Sequence, residues 1–246
     1  MPESSREERL AAAFVELADT LVGDFDVIHF LHMLTDHCVA LLDITAAGVV
    51  LATLRGELVD VCASDERARA LVLAGIDLGE GPHLDCYRLG RQLPDTALTH
   101  PHAKANWPRF TPRAAELGFT SLAAAPLRLR DEVIGALTLL RTRPGPLDPA
   151  ELRLGQALAD TATIGILQQR ALHEQATLAT QLQTALTSRI IIEQAKGALA
   201  HRRGITVDEA FERLRRYARH HRLLLTKVAR QVMESGTDPT LEPEQH

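Results

Sequence analysis

The chain has 246 residues, 46% of them hydrophobic and 24% charged, with a formal net charge of −5. That length holds one large domain or two small ones, and the balance is that of a packed globular protein rather than a disordered or fibrous one. No apolar run approaches the roughly 20 residues that a membrane-spanning helix requires, and with aromatics at only 4% the cores must rest on Leu, Val, Ile and Ala.

The opening MPESSREERLAAAF mixes acids and bases before its apolar residues. It lacks the basic start and cleavage pattern of a secretory leader, so a cytoplasmic location with no membrane partner is expected. The segment 6–41 reads as two helices. Leu10, Phe14, Leu17, Ala18 and Leu21 recur at helical spacing, and Gly23-Asp24 ends the pattern. Asp26 can cap the next helix, whose apolar set includes Ile28, Leu31, Leu34, Cys38 and Leu41. The period then changes. Ala46 to Leu54 is a compact apolar run, Arg55-Gly56-Glu57 a turn signal, and Leu58 to Cys62 a second short run, which together predict a hairpin. Asp65 to Leu73 looks helical, and Gly79-Glu80-Gly81-Pro82 is a sharp turn.

Pro94, Pro101, Pro108 and Pro112 mark a long irregular region with short helices. The stretch Gly79–Arg113 is too long to be a simple connection, so it is expected to wall a small-molecule pocket against the sheet. Thr120 to Leu129 and Val133 to Leu140 are the next two strands, joined by Arg130-Asp131-Glu132 and closed by Arg143-Pro144-Gly145-Pro146. Helices, then strands, then a helix predict an α+β domain with an antiparallel sheet. Cys38, Cys62 and Cys86 are widely spaced, which gives neither a disulfide framework nor a metal knuckle. His83, Cys86, His100 and His102 do not fall at a metal-ligand spacing either, so no metal is expected. The half contains no phosphate-binding glycine loop and no acidic pair of a phosphoacceptor, so input by a ligand or partner is favoured over phosphorylation.

The phrases GEGPHLDCYRLGR (79–91), WPRF (107–110), ELGFTSLAAAPLRLRDEVIGALTLLRTRPG (116–145) and ALADTATIGILQQRALHE (157–174) resemble a GAF domain. They look like the sensor half of actinobacterial GAF–ANTAR proteins, over roughly 10–170. The resemblance implies a sensor domain over 1–165, with a small-molecule effector whose identity, and any cofactor, the sequence leaves unnamed. Related proteins commonly carry Cys where His83 stands, which removes the ground for borrowing a thiol or haem role.

Beyond Pro149 no proline or strand pattern recurs until Gly204. Apolar residues repeat every seven positions, as Leu172, Ala179 and Leu186, and as Leu178, Ala185 and Ile192, with Leu182 between them. The stripe is wider than a two-stranded coiled-coil seam. It predicts a helical linker over 166–187 that pairs in a homodimer through Leu172, Leu178, Ala179, Leu182 and Leu186. The alternative is that this face packs on the chain's own sheet.

From Ser188 to Met233 eleven Lys or Arg stand against four acids. A basic segment on an acidic body suggests an anionic partner for that segment alone. Gly204 is a natural helix end, and Thr206 with Glu209 makes a capping box. Ala210, Phe211, Leu214, Tyr217 and Ala218 share one face of the second helix. Thr226 can cap a third, with Val228, Ala229, Val232 and Met233 inward. Ile192, Ala195 and Leu199 serve the first.

The order AKG (195–197), EAFERLRRYA (209–218) and LTKVARQVM (225–233) resembles the ANTAR domain of transcription antitermination regulators, whose members bind paired stem-loops in leader transcripts. The resemblance implies RNA contacts at Ala195, Lys196 and Gly197, and in the second helix at Arg215, Arg216 and Tyr217. The charge clusters add Arg203, Arg213, Arg219 and Lys227 as candidates, since neutralised phosphates release counterions. Ala195 and Gly197 would let a loop approach the backbone, and unpaired bases can stack on Tyr217. Tyr217 as a core aromatic and Gly197 as a packing residue stay open. The output domain is placed at 188–234, with a disordered tail at 235–246. No catalytic residues are expected. The competing functions are a DNA-binding transcription factor built on a helix-turn-helix and a GAF-type methionine sulfoxide reductase, which would need a close cysteine pair.

Overall fold

In the computed structural model the described residues are 5–20, 26–53, 55–143 and 145–234. The expected helix end at Leu21 to Asp24 and the expected tail at 235–246 lie outside them. The chain divides into two compact units, 1–171 and 172–246.

The first unit opens with α1 (Arg6–Asp19) and α2 (Val27–Leu41). Ser5 and Glu8 cap α1 reciprocally, and the Asp26 carboxylate accepts from the Ile28 and His29 N–H groups at 2.9 and 3.4 Å. Each cap satisfies donors that the first helical turn leaves open. Next come β1 (Ala46–Ala52), β2 (Leu58–Ala63) and α3 (Glu66–Leu78). Asp65 caps α3 through the Ala68 N–H at 2.7 Å, and Gly79 ends it in the left-handed region at φ 67°, where glycine carries no steric penalty. Then follow α4 (Pro82–Leu89), β3 (Leu93–Ala97), α5 (Pro101–Asn106), α6 (Phe110–Glu116), β4 (Ser121–Leu129) and β5 (Glu132–Arg141).

The five strands form one antiparallel sheet in the order β2-β1-β5-β4-β3. All seven β1 residues are buried, because helices cover both sheet faces and the strand reads as a continuous apolar run. Leu137 and Leu139 of β5 join a core with Leu31 and Leu34 of α2. Leu140, on the other face, joins Leu71 of α3 and Phe110 of α6. The region 79–113, expected to be irregular with short helices, also contributes β3. Pro94 hides this strand in the sequence, and β3 tolerates it because it lies at the sheet edge, where one row of N–H groups has no ladder partner.

The long helix α7 (Pro149–Arg203) has 55 residues. Leu158, Ala159, Ala162 and Ile166 are buried in the first unit's core. Every residue of 171–187 is exposed.

In the second unit the end of α7 packs with α8 (Val207–His220) and α9 (Leu225–Glu234). Gly204 adopts φ 65°, and Thr206 with Glu209 forms the expected capping box. The core is small and alanine-rich: Ala195, Leu199, Ala200, Ala210, Leu214, Ala218, Val228, Ala229 and Val232. Three expectations are corrected here. Phe211 lies outside that cluster, and Met233 is 42% exposed, because each sits at the margin of its helix's inward face. Helix α9 begins at Leu225, so Thr226 lies inside the first turn. The Leu224 carbonyl accepts from Lys227 and Val228.

Candidate functional site

The second unit presents its basic side chains on the faces opposite this core. Arg213, Arg216 and Arg219 of α8 and Lys227 and Arg230 of α9 are exposed. Arg215 makes a 3.5 Å contact with Glu212 while 47% exposed, a pairing weak enough for a phosphate to replace. Arg203 is half-buried. Lys196 is more constrained than a mobile phosphate contact. Its ammonium lies 3.0 Å from Glu193 and 5.1 Å from the centroid of the Phe211 ring, with the side chain only 14% exposed. This explains why Phe211 leaves the core: its face holds the Lys196 cation.

The candidate residues around Lys196 separate. Ala195 is fully buried in the three-helix core, so its methyl cannot meet RNA. The helical turn places it inward, and its small size serves close packing of α7. Gly197 is exposed, and a Cβ built there meets nothing within 4 Å among the described residues, which leaves an open surface beside Lys196. Tyr217 is half-buried against the core, with its ring centroid 4.1 Å from that of His221. It is a core-margin aromatic with part of its face already covered. Arg222 and Arg230 belong to the charge clusters that the sequence spacing gives, and both are exposed. Arg222 closes the α8 end in the left-handed region at φ 52°, a conformation that costs a non-glycine residue about 1 kcal/mol. Its exposed guanidinium extends the α8 basic row.

In the first unit the Gly79-Glu80-Gly81-Pro82 turn is clasped to α6. The Glu80 carboxylate accepts from the Arg109 N–H at 2.8 Å, the Phe110 N–H at 3.2 Å and Arg109 Nε at 2.7 Å. These bonds, led by the Arg109 side chain, hold its carboxyl below the usual range. His83 is fully buried beside Phe110, 6.0 Å between ring centroids, and neither ring nitrogen has a hydrogen-bond partner. Burial lowers its pKa to about 4. His100 caps α5 through the His102 N–H at 3.2 Å, and among the described residues no three His, Cys, Asp or Glu converge on a metal position. All three cysteines are buried and unbridged, and burial pushes the Cys38 and Cys86 thiols up to about 12.

Part of the space between the sheet and 79–113 is filled by the chain's own side chains. Trp107, Phe110 and Phe119 pack there against Leu122 and Leu140. An open cavity of about 880 Å³ remains at the expected place, beside the β3 edge, walled by β3, α5, α6, Ser121 of β4 and the segment after β5.

The family model for the GAF domain matches residues 4–167, and that for the ANTAR domain matches 180–233. Among solved structures, the chain is similar to the GAF domain of a phosphoenolpyruvate-protein phosphotransferase from Coxiella burnetii. That match has 14% identity and a TM-score of 0.51, and covers 70% of this chain and 99% of that one. A GAF domain of the same enzyme type from Acinetobacter matches with 10% identity and a TM-score of 0.50, covering 67% and 97%. A free methionine-R-sulfoxide reductase from Neisseria meningitidis matches with 16% identity and a TM-score of 0.50, covering 68% and 91%. At such identities these likenesses carry the fold alone. No curated protein matches the chain. The chain belongs to the GAF family and carries an ANTAR domain after its GAF domain.

Proposed function

We propose that this protein is a signal-responsive regulator of transcription antitermination, which binds stem-loop RNA in leader transcripts through its ANTAR domain under control of its GAF domain. The observation that carries the reading is the exposed basic row Arg213, Arg216 and Arg219 on α8, with Lys227 on α9, in the segment that the ANTAR model matches. Lys196, Arg203 and Arg215 flank that row as further phosphate contacts. Gly197 leaves room for a backbone, and Tyr217 offers a ring margin for stacking. Phosphate contacts of this kind set affinity and its salt dependence. Both domains are regulatory modules, and buried cysteines with high thiol pKa values offer no nucleophile for a reductase. The protein works in the cytoplasm, where nascent transcripts are.

The protein acts as a homodimer. Leu172, Leu178, Leu182 and Leu186 are 49–58% exposed on α7, and Ala179 lies in the same stripe. A second copy of that stripe supplies a matching apolar face. Two output domains then meet two loops of one transcript, and tethering makes the second contact intramolecular.

Competition tests the nucleic-acid reading. A labelled two-loop RNA is expected to be displaced from the full chain by unlabelled stem-loop RNA and not by duplex DNA of equal length. Equal displacement by DNA would overturn it in favour of a DNA-binding factor.

A further inference from the structure

We propose that the corner between α8 and α9 is a base-contacting site, where the exposed side chains of Leu224 and His220 pack against unpaired bases of an RNA loop. This rests on the RNA reading above and names the part of the RNA that the corner selects. Backbone bonds fix the corner. The Leu223 N–H donates to the Ala218 carbonyl at 2.8 Å at the end of α8, and the Lys227 N–H to the Leu224 carbonyl at 2.9 Å at the start of α9. Leu224, between them, is 75% exposed, the most of the large hydrophobic residues described.

Three rings lie just before it along the chain. Tyr217 packs on the domain's core, the His221 ring centroid lies 4.1 Å from that of Tyr217, and the His220 ring meets His221 at 4.9 Å and 82°. Tyr217 and His221 are half-buried and His220 is exposed. The series anchors an outer ring to the core, which leaves that ring less freedom to lose on binding. His220 also stands four residues after Arg216 and seven after Arg213, which places it on their ridge of α8.

The charge of this segment is of one sign. From Arg213 to Met233 the chain has seven Lys or Arg and no Asp or Glu, and Arg219, Arg222 and Lys227, on either side of Leu224, are exposed. Such a surface fits a partner that carries phosphates and also broad apolar faces. A duplex offers the first and hides the second in its stack, so a leucine set against it would gain little. An unpaired loop offers both, because its bases are free to leave the stack and lie on a histidine ring or an apolar side chain.

The test uses the full chain and the tightest-binding hairpin RNA from a pool with one stem and a randomised loop. Its counterpart is the same hairpin with the loop bases removed to leave abasic riboses. The wild type is expected to bind the intact hairpin at least ~10-fold more tightly than the abasic one. Leu224→Ser with His220→Ala is expected to erase that preference, with the affinity for the abasic hairpin and the salt slope unchanged. Serine is favoured at the position before a helix and alanine within one, so circular dichroism should show the fold kept. His220→Phe, which retains a ring and carries no charge, is expected to keep the preference. An abasic hairpin bound as tightly as the intact one overturns the proposal and leaves the RNA reading standing. So does a preference that survives the double substitution, a preference that His220→Phe abolishes, or a double substitution that weakens binding to phosphatidylglycerol vesicles and not to the hairpin. A chain that binds neither hairpin overturns the RNA reading as well.

Discussion

Arginine does different work in the two units. In the GAF domain Arg109 is clasped by Glu80 at 2.7 Å, and Arg141, its side chain only 8% exposed, by Asp43 at 2.8 Å. Both pairs tie distant parts of the chain together. In the ANTAR domain Arg213, Arg216 and Arg219 are exposed and, among the described residues, make no ion pair within the domain. These arginines of the first unit complete its fold, whereas Arg213, Arg216 and Arg219 of the second face solvent. The cores differ in the same sense. The sheet is sealed on both faces by large aliphatic and aromatic side chains, while the output core rests largely on alanine. Small residues bury little area each, so that domain gains most from being held by a partner.

The sharpest way to break this comparison is to remove the apolar stretch between the units. Leu182 and Leu186 are each 58% exposed, and a carboxylate buried in a dimer seam would be left without a partner. Leu182→Glu with Leu186→Glu is expected to weaken dimerisation by about 100-fold or more, or about 3 kcal/mol, with both domains still folded. Light scattering should then give a monomer, and affinity should fall far more for two-loop than for one-loop RNA. A variant that remains dimeric would show that this stretch is not the seam.

A smaller effect sharpens the account of the sensor core. The His83 ring fills the space beside Gly75, where a Cβ would collide with it. Its folded pKa of about 4 lies below the ordinary value of 6.5. Below 6.5 the unfolded chain takes up a proton that the folded chain refuses until about pH 4, so stability rises with pH across that window. The contribution is full above pH 6.5 and is lost progressively as pH falls toward 4, by up to about 3 kcal/mol. In His83→Leu the loss of stability between pH 7 and 4.5, measured by urea unfolding, is expected to be smaller than in the wild type. Equal losses would mean that the ring gains access to water or a partner.

The elements set by local chemistry were legible in the sequence. Asp26 and the Thr206–Glu209 pair cap their helices as read, and the hairpin strands carry apolar runs broken only by Asp60 in the second. The rest depended on tertiary context. Strand β3 was hidden because Pro94 and Asp95 break a strand pattern, and only its edge position makes both acceptable. Ala195 was read as a contact through the AKG resemblance, yet adjacent helical positions point about 100° apart, and α7 buries Ala195 while exposing Gly197. The pocket's place between the sheet and 79–113 was legible, but nothing in the sequence says that Trp107 and Phe110 fold inward and confine it to the β3 edge. The basic row was legible as charge, Arg222 included, but not the left-handed turn in which Arg222 ends α8.

The most direct measurement of the central claim is the salt dependence of stem-loop RNA binding by the wild type and by Arg213→Ala with Arg216→Ala. Both side chains are exposed on α8 outside the core, so helix content should be retained. If they meet phosphates, the double variant binds more weakly, and the slope of log affinity against log salt flattens by about 1.5 units for two lost contacts. An unchanged affinity and slope in the folded variant would contradict the claim that the α8 face is where the RNA binds.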